Sequence, residues 1–389
     1  MTFFPRWVLI FLTLALIVLP LTAHAQSSDE ESDYPSLDFG ANIMQSGQWL
    51  VVDDNNPGAI DGEFSGFHQV RAGLNVTAQF SERANALIMI EAEPNDFGQN
   101  GFSPAIDFAV LNLEVTDQLT LQTGTPVTGL INFRGFSDGP VVQGNPLIGN
   151  SPADMITAAH GVKLIGTFDT FGFDVTVNRS FAEDFTNTDY TGVNLIGKVR
   201  YTALEVVKVG FGAATHTGEG VPPNSPEVQD NRNGLVFANG DRENYNLKGG
   251  GATSSTHTHV NMPSGTIVQA DAKVLPGDAD GDAWLGYARD DEDAVGSAFN
   301  QALFGGLGLK YDLTDRIYAA GRFTYIGNIS SDAPDDHTAV SRAQVGLGLE
   351  LYDRALLKVE GVRQVEGANS YGQVGNNWYG ATAELSLNF

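Results

Sequence analysis

From Tyr379 to the terminal Phe389, apolar and polar residues alternate one for one. Tyr379, Ala381, Ala383, Leu385, Leu387 and Phe389 share one face, and Gly380, Thr382, Glu384, Ser386 and Asn388 share the other. A period of two is the pattern of a β-strand with one apolar side. Final residues of soluble domains commonly fray, whereas here the last one belongs to the apolar face. The same alternation recurs in paired segments along the chain. It predicts sixteen strands, over 36–52, 64–80, 84–93, 105–115, 119–125, 158–168, 172–179, 190–201, 205–213, 264–274, 282–289, 299–312, 316–328, 338–352, 355–366 and 377–389.

The connections alternate in length. Short turns are expected at Ser81-Glu82-Arg83, Thr116-Asp117-Gln118, Asp169-Thr170-Phe171, Thr202-Ala203-Leu204, Pro276 to Gly281, Thr314-Asp315 and Asp353-Arg354. Between them lie longer loops, from 94–104 to the long loop 214–263. An even strand count with short turns at one end and long loops at the other is the plan of an antiparallel transmembrane β-barrel. Strand parity gives an independent check. It turns Phe80, Phe168, Tyr201, Tyr311 and Phe389 outward beside the short turns, and Phe211, Phe323, Tyr325 and Tyr379 outward near the far ends. Two aromatic girdles bounding an apolar band are what a barrel presents at its two water–lipid interfaces.

The start of the chain is consistent with export. Arg6 precedes the thirteen-residue apolar run Trp7–Leu19, and Ala23-His24-Ala25 follows. That run is shorter than the roughly 18 residues a spanning helix needs, so residues 1–25 are expected to be a signal peptide cleaved before Gln26. Residues 26–35 form an acidic segment, and the barrel occupies 36–389. Cysteine is absent and glycine numbers 45 of 389 residues, so stability is expected from a closed sheet rather than disulfides. The mean hydropathy of −0.11 fits a barrel whose strands face water on one side. The net charge is −26, or −27 once the signal's arginine is removed, and no nucleic-acid partner is expected.

A closing strand that alternates to a terminal Phe resembles the end of bacterial outer-membrane porins. In that family the strand closes the barrel and is read by the outer-membrane assembly machinery, a role that would fall to Phe389. The resemblance extends to sixteen strands with a long connection after the fifth. It is greatest to the general and phosphate-selective porins, which are typically homotrimers with a loop folded into the pore. The connection lacks the Pro-Glu-Phe-Gly stretch of general porins, and no arginine ladder of the phosphate type is evident, so the resemblance implies no particular solute.

That connection, 126–157, is rich in apolar residues, among them Val127, Leu130, Ile131, Phe133, Phe136, Val142, Leu147 and Ile148. Its charges are Arg134, Asp138 and Asp154, whereas other loops carry acidic runs such as Arg289–Asp293. A nearly uncharged loop among acidic ones is expected to pack against the barrel wall as a constriction; a lid over the mouth or a contact with a neighbouring subunit are the alternatives. Parity points Arg71, Lys163, Lys198, Arg200, Lys208, Lys310, Arg322, Arg342 and Lys358 into the lumen. Of these, Arg71, Lys163, Lys198 and Arg322 fall near mid-height. With Arg134 and Asp138 they form the expected pore-lining set, giving a weak anion preference that erodes as salt falls. Lys358, near a turn, is expected to matter little.

Other motifs are weaker. Asp278 to Asp282 reads "DADGD", but Gly281 is misplaced for a calcium loop and its twelfth position is Arg289, so a turn is the better assignment. His216, His257 and His259 offer metal-ligand chemistry without a clear complete set, and no cofactor is expected. Asn239-Gly240 predicts a hairpin inside the long loop. His68 and His160 have no serine partner in sequence, so hydrolase chemistry is not expected. The expectation is an outer-membrane barrel contacting lipid and passing small hydrophilic solutes and ions. A substrate-selective facilitator, including an anion or phosphate type, and an adhesin or structural barrel are the alternatives.

Overall fold

The computed structural model describes residues 34–52, 62–92, 105–130, 133, 139–158, 161–178, 193–217, 235–236, 261–262, 265–290, 301–329, 339–366 and 377–389. The expected signal peptide, most of the acidic segment, Arg134, Asp138, His160, Asn239, His257 and His259 lie outside them. The strands are β1 (Ser36–Val52), β2 (Gly62–Ser81), β3 (Ala84–Ala92), β4 (Ala105–Thr116), β5 (Leu119–Gly124), β6 (Val127–Gly129), β7 (Ile156–Ala158), β8 (Gly161–Thr167), β9 (Phe171–Asn178) and β10 (Val193–Leu204). There follow β11 (Val207–Thr217), β12 (Leu235–Val236), β13 (Asn261–Met262), β14 (Gly265–Val274), β15 (Ala279–Asp290), β16 (Gln301–Thr314), β17 (Ile317–Asn328), β18 (Ala339–Tyr352), β19 (Ala355–Glu366) and β20 (Asn377–Asn388).

Sixteen of these close into one antiparallel barrel, in the order β1-β2-β3-β4-β5-β8-β9-β10-β11-β14-β15-β16-β17-β18-β19-β20. The last strand pairs with the first from Trp378↔Val52 to Asn388↔Asn42, and the Phe389 N–H donates to the Ala41 carbonyl at 2.8 Å. No open edge remains in this sheet, and every wall strand has a hydrogen-bonded neighbour on both sides.

Each predicted strand has an observed counterpart, with most boundaries shifted by one to four residues, and three of the shifts are instructive. The expected turn at Thr202–Leu204 sits at Glu205–Val206, because β10 continues to Leu204. Asp280 and Asp282 are not in a turn; they belong to β15, and the turn 275–278 hinges on Gly277 at φ 62°. The sixth predicted strand starts at Gly161 rather than 158, since Ile156–Ala158 pairs with β6 instead. The two-residue turns share a device. A one-residue register shift precedes each, as between Gln79 and Ser81, Glu114 and Thr116, and Thr202 and Leu204. Such bulges add the twist a tight turn needs to rejoin the sheet. At two of these turns a threonine caps the turn's own backbone: Thr116 Oγ1 accepts from Gln118 N–H, and Thr314 Oγ1 accepts from Arg316 N–H.

Strand parity holds around the wall. All nine girdle aromatics are exposed, from Tyr325 at 41% to Phe389 at 61%. Phe168, Phe171 and Phe173 cluster on one edge with ring centroids 6.1–6.4 Å apart. The alternate residues turn inward, and they create the site.

Candidate functional site

The lumen is occupied by the connection between β5 and β8. The chain leaves the wall at Gly124, whose φ of 117° is open to glycine and strained for other residues. A Cβ there would also strike the Ala109 carbonyl oxygen. β6 and β7 then pair as a short stem, Val127↔Ala158 to Gly129↔Ile156. Beyond the stem, described parts of 130–155 pack against the inner wall in two places. Leu130, Ala153 and Met155 join a buried cluster with Ile196, Ala214, Ile267, Trp284, Ala288, Ala302, Phe304, Ile326 and Val340, from seven strands between β10 and β18. Leu147 joins Tyr318, Ala320 and Leu356. Burying each such aliphatic side chain contributes about 1.5–3 kcal/mol. Glycines in the wall seat the segment: a Cβ at Gly212 would lie 2.7 Å from Leu130 Cδ2, and one at Gly346 would lie 3.1 Å from Leu147 Cδ2.

The segment's backbone carbonyls would be costly to bury without donors. Cationic and amide side chains of the wall supply them. Arg322 Nη2 donates to the carbonyls of Gly149 (2.9 Å) and Ile148 (3.3 Å), while its Nε donates to Gln344 Oε1 at 2.8 Å. Arg342 Nη1 donates to Asn150 O at 3.2 Å, and Lys358 Nζ to Val142 O at 2.7 Å. Gln344 Nε2 reaches Ile148 O at 3.0 Å, and the Ile148 N–H donates to Glu360 Oε2 at 2.9 Å. Trp284, Gln269 and Tyr318 donate to the carbonyls of Ala153, Leu130 and Pro146. Gln143 Nε2 reaches Arg354 O and Ser386 O, both at 3.1 Å. Within the segment, the Asn145 and Asp154 side chains close local turns on Gly149 O and Ser151 N–H.

The sequence-predicted residues therefore meet different fates. Arg71, Lys198 and Arg322 point inward as parity requires, yet all three are buried. Arg71 lies against Glu91 at 3.3 Å, Lys198 against Asp271 at 2.7 Å, and Arg322 holds the in-folded segment. Phe133 of that segment lies over the Lys198 ammonium at 5.5 Å. Lys163 is half-buried, near the Arg200–Asp174 pair. Lys358, expected to be of little consequence, is instead buried in a pair with Glu384 at 2.8 Å and binds the segment as well. Phe389 is outward at the seam. Sequence reasoning overlooked Asp271, although the parity of β14 already placed it beside Gln269 and Ile267 on the inner face. It also overlooked Gln344, whose role depends on a partner 196 residues away.

What remains accessible is one side of the lumen. On β17–β20 and most of β1 the inward side chains are buried over nearly the whole strand, and on β9–β16 they are buried in the half toward the long loops. On β2–β5 and β8, Asn75, Thr77, Gln79, Asn85, Leu87, Asn112, Thr120, Gln122, Lys163 and Ile165 keep partial exposure. Around the short-turn end of β10–β16, Arg200, Lys208, Lys273, Asp282 and Lys310 do the same, with Lys273 paired to Asp280 at 2.7 Å. Among the described residues no group of three or more His, Cys, Asp or Glu is arranged to hold a metal ion.

No protein-family model and no curated protein sequence matches the chain significantly. Solved structures do resemble it. The trimer form of OmpT, an outer membrane protein of Vibrio cholerae, covers 92% of this chain and 100% of its own, at 13% identity and TM-score 0.56. The outer membrane channel DcaP of Acinetobacter baumannii covers 91% and 97%, at 11% identity and TM-score 0.59. The anion-selective porin from Comamonas acidovorans covers 91% and 99%, at 12% identity and TM-score 0.56. At such identities the likeness is one of architecture: this chain, a closed sixteen-strand antiparallel barrel, has the fold of the bacterial outer-membrane porins.

Proposed function

We propose that the protein is an outer-membrane channel through which small hydrophilic solutes and ions diffuse passively, narrowed by the in-folded segment between β5 and β8. The observation that carries this reading is the division of the lumen. One wall is packed against that segment, while the opposite wall, on β2–β5 and β8, presents partly exposed polar side chains. A sixteen-strand barrel is wide enough to leave an aqueous path beside such a segment. The channel and porin descriptions of two similar structures support the same reading.

Further features belong to this reading. The chain is exported by a cleaved signal at 1–25 and inserted by the outer-membrane assembly machinery, which reads the strand ending at Phe389. The short turns face the periplasm and the acidic loops face outside. The protomer forms a homotrimer, in keeping with the trimer form of a similar structure. Lys163, together with Arg134 and Asp138 of the segment, lines the path. Arg71, Lys198 and Arg322 act on it at one remove, through their partners.

Single-channel recording of purified protein in a planar bilayer tests the reading. The expected result is stepwise, ohmic conductance in potassium chloride. A folded protein that never conducts would overturn it in favour of a structural or adhesive barrel.

A further inference from the structure

The accessible wall carries a row of neutral amides. Gln79 on β2 pairs laterally with Asn85 on β3, Asn85 with Asn112 on β4, and Asn112 with Gln122 on β5. The next positions in the row are Lys163 on β8 and Thr176 on β9. All four carboxamides point inward and are half-buried. Three are linked: Gln122 Nε2 donates to Asn112 Oδ1 at 2.9 Å, and Asn112 Nδ2 donates to Asn85 Oδ1 at 2.8 Å. A carboxamide has two N–H donors and two acceptor lone pairs. Those two bonds leave both N–H groups of Asn85, and one each of Asn112 and Gln122, for other partners, while Gln79 Nε2 donates to the Ser81 carbonyl.

The row is inclined. Asn85 is the second residue of β3, Gln122 the fourth of β5 and Thr176 the sixth of β9, so it climbs from the short-turn end toward the long-loop end. Stagger of this kind is inherent in a closed barrel with tilted strands. Neighbouring strands lie about 4.8 Å apart, so four carboxamides extend over roughly 14 Å. That length is comparable to a short oligosaccharide. Of the nearby charges, Arg71 is paired with Glu91 and Arg200 with Asp174, while Lys163 stands at the end of the row. Along the four carboxamides themselves a solute meets neutral donors and acceptors.

We propose that the row Gln79–Asn85–Asn112–Gln122 is a hydrogen-bonding track that favours passage of neutral, hydroxyl-rich solutes of saccharide type. The proposal rests on the channel reading and specifies its solute class. Hydroxyl groups both donate and accept, as carboxamides do, so such a solute exchanges its water for the wall with its hydrogen bonds preserved. A solute with acceptors alone meets only the free N–H groups and leaves the Gln122 carbonyl and the second lone pairs of Asn85 and Asn112 without donors.

The test compares raffinose with a polyethylene glycol of equal hydrodynamic radius, which has ether acceptors but almost no hydroxyls. Liposomes containing the full-length protein should swell faster in raffinose by about fivefold, the effect of roughly one net hydrogen bond. At equal concentration raffinose should also reduce the potassium chloride current of the wild-type channel more than the polymer does. The triple variant Asn85→Leu, Asn112→Leu, Gln122→Leu should lose the preference while still conducting salt. Equal swelling rates in a wild-type channel that conducts salt would overturn the proposal alone, as would a folded triple variant that keeps the preference. Absence of any salt current would overturn the channel reading and this proposal together. The current measurement needs no variant, so misfolding of the triple substitution does not shield the proposal.

Discussion

Three cationic side chains, Arg322, Arg342 and Lys358, stand on adjacent strands and end on backbone carbonyls of the in-folded segment. Their charge is spent on position rather than on the open lumen. Lys358 illustrates the difference, since it joins Val142 O and the Glu384 carboxylate. Lys358→Met should leave that carboxylate buried and alone, a loss on the order of 3–5 kcal/mol. The folded barrel should then melt to its heat-denatured electrophoretic form at lower temperature, and its channel current should become noisier as the segment loosens. A further Glu384→Gln change should restore part of the thermal loss, whereas unchanged melting and noise in the single variant would mean that Lys358 holds nothing. The direction of each of these side chains was readable from strand parity alone. Their partners were not. A carbonyl has no signature in a sequence, and Arg322 and Gly149 are 173 residues apart. Asp271 was readable by the same parity, on the inner face of β14 two residues from Gln269.

At the level of elements, the alternation of apolar and polar residues sufficed to place every wall strand, because the period of two is enforced by lipid outside and by polar or packed surroundings inside. Boundaries were harder. The bulges before the two-residue turns add a residue to one strand, which displaced the expected turn after β10 to Glu205–Val206. The segment between β5 and β8 was recognisable by its apolar, nearly uncharged composition, and the lumen is where it packs. Its route was beyond the sequence, because it depends on which wall positions are glycine and which are donors, as at Gly212, Gly346 and Gln269. Removing most of Asn132 to Asn150 should raise single-channel conductance about twofold, since pore resistance is set at the narrowest part. An unchanged conductance from a folded barrel would mean that the segment does not define the narrowest zone.

For the whole molecule, closure and filling are linked. The segment lies early in the chain, yet its partners include Trp284, Arg322, Arg342 and Lys358, and Gln143 reaches the Ser386 carbonyl 243 residues away. Part of that contact surface, with the donors Arg322, Arg342 and Lys358 and the seat at Gly346, does not exist until β17–β19 are in place, and the Ser386 carbonyl waits for β20. Contacts of such long sequence separation form late, because the intervening chain must be ordered first. Docking of the segment therefore works as a completion signal: a barrel missing its final strands lacks the donors Arg322, Arg342 and Lys358 and the seat at Gly346, so residues 145–150 cannot dock fully. Protease resistance of residues 145–154 should accordingly be the last property gained during assembly, after the strands are paired. Deleting Phe389, which bonds Ala41 at the seam, should delay or reduce that resistance together with membrane insertion, and early protection in an unclosed barrel would disprove the order. Quality control is thus written into the interior, where an unfinished wall betrays itself by a segment left undigested only when the circle is whole.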